Sequence, residues 1–179
     1  MTARAREALV DCEHALADFI AGATTHFQRS RWIALMTLLR TVGLVLKAVD
    51  RPAAPPEIQR RIDDAWQSLG DTKPEPRIFH DFIDAERFRA VHLYEIRVSA
   101  HITVKPGAGA LRVDREPGSG GDWFPVHAGF GGTPTTIDIV MRAGWFAGKD
   151  PRDLCRDAIE FWRDYLNKID SADTSASAG

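Results

Sequence analysis

The chain has 179 residues, 44% of them hydrophobic, which suits one domain with a real core and excludes global disorder. Its formal charge of −2 makes no global case for nucleic acid or an anionic membrane as partner, although a local patch stays possible. The two cysteines, Cys12 and Cys155, lie far apart without metal-ligand spacing and are expected to be buried, reduced thiols.

Met1 to Phe19 carries Arg4 and Arg6 but no apolar h-region, so no signal peptide is expected and the cytoplasm is the default location. Helix one is predicted over about Ala3–Ala21, with Leu9, Cys12, Leu16, Phe19 and Ile20 at helical spacing and Gly22 as the break. A second helix follows over about Thr25–Val49. From Trp32 to Val49 it is apolar almost all round, so other helices must wrap it. Thr37, Arg40, Thr41 and Lys47 interrupt that run, which makes a poor membrane span, and no membrane partner is expected. Pro52, Pro55 and Pro56 mark a turn. Pro56 opens a third helix with Ile58, Ile62, Ala65, Trp66 and Leu69 as its buried stripe, and Gly70 is its expected stop.

A fourth helix is predicted over about Arg77–Ile96, burying Phe79, Phe82, Ile83, Glu86, Ala90, Leu93 and Tyr94. Glu86 thus falls inside an apolar stripe. Arg40 is carried into or beside the core by its own helix. Unpaired burial of either charge costs several kcal/mol, so the economical expectation is an Arg40–Glu86 ion pair; the other solution is that each reaches water at a bundle end.

Beyond Val98 the period changes to that of strands: Ala100–Lys105, Leu111–Arg115, Trp123–Gly129 and Thr135–Arg142, each bounded by Gly or Pro. They suggest a three- or four-stranded antiparallel meander. Asp150 as N-cap and Pro151 at the first position open a last helix through Ile169, which is expected to cover the sheet. The fold class is therefore α+β: a helical bundle over 1–97, then sheet and C-terminal helix over 98–170 packed as the same domain. The small, polar tail 171–179 is expected to be disordered.

Candidate chemistry is sparse. His80 and Asp84 stand four apart and could share a metal, but two ligands do not make a site, and acids near a helix start are stabilised by the dipole in any case. No metal or cofactor is expected. Gly118–Gly121 and Gly129–Gly132 are not followed by Lys-Ser/Thr and a helix, so they read as hairpin loops rather than phosphate cradles. Trp123, Phe124, His127, Phe130, Trp145 and Phe146 are either core between sheet and last helix or an exposed aromatic set serving binding. No Ser–His–Asp or Cys–His nucleophile can be assembled.

The first functional reading is accordingly a non-enzymatic interaction protein, working through Trp123, Phe130 and Trp145, with a protein partner and a possible homodimer through the bundle. The alternative comes from the stretch Arg87-Phe-Arg-Ala-Val-His92. It resembles the Arg-x4-6-His motif of the HEPN family, small helical bundles that include many metal-independent RNases of bacterial defence. The resemblance spans the predicted helices, about half the chain. It implies that Arg87 steadies a phosphate and His92 acts on a ribose 2′-OH, in a cleft completed by a symmetric dimer, with RNA as the partner under this alternative only. Phe88 stands where that family commonly has a polar residue, often Asn.

Overall fold

A computed structural model describes residues 2–23, 29–104, 111–114 and 135–171, with residues 100–138 described by their backbone alone. Helix α1 spans Ala3–Ala23. Its stripe of Ala5, Leu9, Cys12, Leu16 and Phe19 is buried, as the spacing requires. The first-turn amides of Arg4 and Ala5 donate to the Asp50 carboxylate at 3.1 and 2.8 Å, so a residue far along the chain caps this helix. Helix α2, Arg29–Val45, runs on through a π-helical turn, Leu46–Asp50, into the single turn α3, Arg51–Ala53.

By length and composition the stretch Arg29–Ala53 would suffice to cross a bilayer. In this fold it is the central helix, with Trp32, Leu35, Met36, Leu39, Val42 and Leu46 fully enclosed. Helix α4, Pro56–Asp71, buries Ile58, Ile62 and Leu69. Gly70 does not end it. The last turn continues to Asp71 and closes where the Thr72 amide donates to the Ser68 carbonyl at 3.1 Å.

The fourth predicted helix is one continuous helical stretch of mixed pitch. A π-helical segment, Ile78–Asp84, leads into helix α5, Ala85–Phe88, and a second π-helical segment, Arg89–Leu93. Tyr94 ends it in the left-handed region, at φ 53°. The sheet follows: β1, Val98–Val104, β2, Leu111–Asp114, and β3, Thr135–Met141. All pairings are antiparallel, with Ile102 opposite both Val113 and Ile137. The strand order β2-β1-β3 places β1 in the centre, which departs from the sequential order of a meander. The predicted strand Trp123–Gly129 and the tail from 172 lie outside the described residues.

Helix α6, Pro151–Ser171, starts as expected, the Arg152 amide donating to Asp150 Oδ1 at 2.8 Å. It touches β3, but mostly it returns to the bundle, antiparallel to α1. Arg6 pairs with Asp170 at one end at 2.9 Å, and Arg163 with Glu13 further along at 2.7 Å. Its long stripe, Leu154, Ala158, Trp162, Leu166 and Ile169, is buried. Cys12 and Cys155 are both buried free thiols, and burial pushes the Cys12 thiol up to about 12, well away from a reactive thiolate.

Where α2 crosses α4 and α6, a Cβ on Gly43 would stand 2.7 Å from Trp162 Cη2 and 2.8 Å from Trp66 Cζ3. Gly43→Ala should therefore destabilise the protein by about 1–3 kcal/mol despite alanine's better helix propensity. Urea unfolding checks it, and a variant as stable as the parent would mean the indoles yield freely.

Candidate functional site

In an α-helix, residues five apart diverge by about 140° around the axis, so Arg87 and His92 would face different ways. The backbone after Phe88 removes that divergence. Over Arg89–Leu93 it widens to i→i+5 bonding, and the Tyr94 amide donates to the Arg89 carbonyl. The wider turn carries His92 back over Arg87, and Arg87 Nη1 lies 3.0 Å from His92 Nε2 on the exposed surface. The guanidinium can only donate, so a hydrogen bond between the two has Nε2 as its acceptor. Arg87 has no carboxylate partner among the described residues.

The surroundings combine apolar and cationic groups. Phe88 is 52% exposed, Val91 41%, Leu93 54% and Tyr94 66%. Leu93 and Tyr94 were expected on the buried side. The π turn advances each residue by a smaller angle than the α pattern assumes, and this rotates them into water. The Phe88 and His92 rings lie 5.1 Å apart, tilted by 41°. Arg29, at the start of α2, places its guanidinium 4.6 Å over the Tyr94 ring and donates to the Tyr94 carbonyl at 3.2 Å. Arg89 pairs with Glu95 at 2.8 Å.

The expected Arg40–Glu86 pair is replaced by two separate ones. Arg40 Nε donates to Asp84 Oδ1 at 2.9 Å, while its guanidinium lies 5.4 Å from the Trp66 ring centre and 5.6 Å from that of Phe79. Glu86, only 2% exposed, has Arg97 Nη1 at 3.8 Å, and its Oε2 has no hydrogen-bond partner. The π-helical segment before Ala85 changes the phase of the helix, so that Asp84 rather than Glu86 meets α2. Burial raises the Glu86 carboxyl to about 7, with Arg97 and Arg89 pulling the other way.

Other sequence candidates are placed elsewhere. His80 Nε2 is 2.8 Å from the Leu69 carbonyl, and Asp84 is held by Arg40, so these two do not converge as ligands. Among the described residues no group of three His, Cys, Asp or Glu is placed to hold a metal. Trp145 is 65% exposed, but the Arg77 guanidinium lies 3.7 Å from its ring centre. Phe146 packs on Phe82, ring centres 6.0 Å apart, so it belongs to the core. Trp123, Phe124, His127 and Phe130 lie outside the described residues.

Arg29, Arg97 and Phe88 carry parts that the spacing argument did not assign. Only Phe88 left a trace in the sequence, as the apolar residue directly after Arg87. No protein-family model matches the chain, and no curated protein or solved structure matches it either.

Proposed function

We propose that this chain is a HEPN-like, metal-independent RNase acting through Arg87 and His92. The observation that carries the reading is the exposed Arg87–His92 contact at 3.0 Å, with no carboxylate competing for the guanidinium among the described residues. A phosphodiester entering between them takes over the guanidinium's N–H groups on its non-bridging oxygens. That frees His92 Nε2 to accept the proton of the ribose 2′-OH. The O2′ then forms a bond to phosphorus as the P–O5′ bond breaks; O5′ takes up a proton from water, and the proton accepted by His92 returns to solvent. The products are a 2′,3′-cyclic phosphate and a 5′-hydroxyl, so atoms and charge balance without an external nucleophile.

Val91 and Leu93, which flank His92 in the chain and are both exposed, supply apolar surface for a second copy. The interaction reading keeps an exposed Trp145, with Arg77 over one face of its ring. Purified protein incubated with a labelled RNA pool in EDTA should cleave it. Intact RNA, or cleavage only after Mg²⁺ is added, would contradict the reading.

A further inference from the structure

We infer that Phe88 is a substrate-positioning residue that stacks the nucleobase beside the scissile phosphate, so that this nucleotide must be unpaired. The inference rests on the RNase reading above. Phe88 is the residue next to Arg87, its ring centre is 5.1 Å from that of His92, and half of it is open to water. Leaving a phenyl group exposed forgoes the gain from burying it, and here it is left exposed within one residue of the phosphate-binding group. A flat apolar face at that place fits the π-face of a base, and stacking accepts any base. In a duplex both faces of every base are already stacked on their neighbours, so only a splayed or single-stranded nucleotide can use the platform. Tyr94 is more exposed still, but Arg29 lies over one face of its ring, whereas Phe88 is the ring in contact with His92.

The same feature gives a binding readout independent of cleavage. The probe is a short 2′-O-methyl RNA, which cannot be cleaved through a 2′-OH, used single-stranded and annealed to its complement in fluorescence anisotropy. Phe88→Ala should weaken binding of the single strand by about 5- to 150-fold, the range for losing one base–aromatic stack, while Phe88→Trp keeps it. Duplex should bind the parent more weakly and be insensitive to Phe88→Ala.

Equal affinity of the parent and Phe88→Ala for the single strand would overturn the inference. So would an equal loss on duplex, or a shift from dimer to monomer in Phe88→Ala, which would assign the ring to a subunit contact. Cleavage of unmodified RNA is followed in parallel. Phe88-dependent binding without cleavage by the parent keeps the platform and removes the RNase reading. Cleavage in EDTA with Phe88-independent binding does the reverse. A parent that binds neither probe overturns both.

Discussion

His92→Ala should lower RNA cleavage by about 10²–10⁴-fold, the usual worth of a positioned general acid or base, while the fold is kept. The fold is spared because His92 is exposed. Its side-chain contacts are the hydrogen bond with Arg87 and the tilted stack on Phe88, and neither belongs to the core. Exposed substitutions of this kind usually shift stability by no more than about 0.5 kcal/mol. Arg87→Lys keeps the charge but loses the planar fork that grips two phosphate oxygens. It should therefore retain part of the rate that Arg87→Ala loses. The checks are single-turnover rates on a labelled RNA and a thermal melt of each variant. A fully active His92→Ala protein would remove the imidazole from the chemistry.

The second large effect concerns Glu86. Replacing it with glutamine should make the protein more stable than the parent at pH 8, by on the order of 3 kcal/mol, with the two curves converging at acidic pH. Burial holds the folded carboxyl near 7, against 4.5 for the unfolded group. The folded chain thus binds this proton more tightly than the unfolded chain does. Between about 4.5 and about 7 the folded state keeps a proton that the unfolded state has released, so stability falls as pH rises through that window and levels off above it. Arg97 at 3.8 Å offsets part of the cost of the charge, and the unpartnered Oε2 shows that the offset is incomplete. Glutamine has nearly the same shape and no charge to desolvate. Denaturant titrations of both proteins at pH 5 and pH 8 check this, and parallel pH dependence would mean that the carboxyl is ionised throughout.

The same carboxylate shows where sequence reading succeeds. Periodicity placed Glu86 inside an apolar stripe, and the structure encloses it. It misassigned the partner because it assumed a uniform α pitch from Arg77 to Ile96. Two π-helical segments change the phase on either side of Ala85–Phe88, and apolar patterning carries no signal for them. The same shift turned Leu93 and Tyr94 outward and brought two residues five apart into contact. The spacing of Arg87 and His92 was therefore legible, while the geometry that joins them was not. α1, α4 and α6 were readable because their stripes and prolines are local. The return of α6 to α1, the capping of α1 by Asp50 and the central place of β1 depend on contacts between distant parts of the chain.

The proposed reaction turns on one step, attack of a ribose 2′-oxygen prepared by His92. The measurement that reaches it most directly is the chemical form of the termini that the parent protein leaves on RNA in EDTA, read by mass spectrometry. Attack by the 2′-oxygen leaves a 2′,3′-cyclic phosphate on one fragment and a 5′-hydroxyl on the other, with no cut where the mapped site carries a 2′-deoxyribose. Termini of 3′-hydroxyl and 5′-phosphate, or cleavage that persists at the 2′-deoxy site, would contradict it.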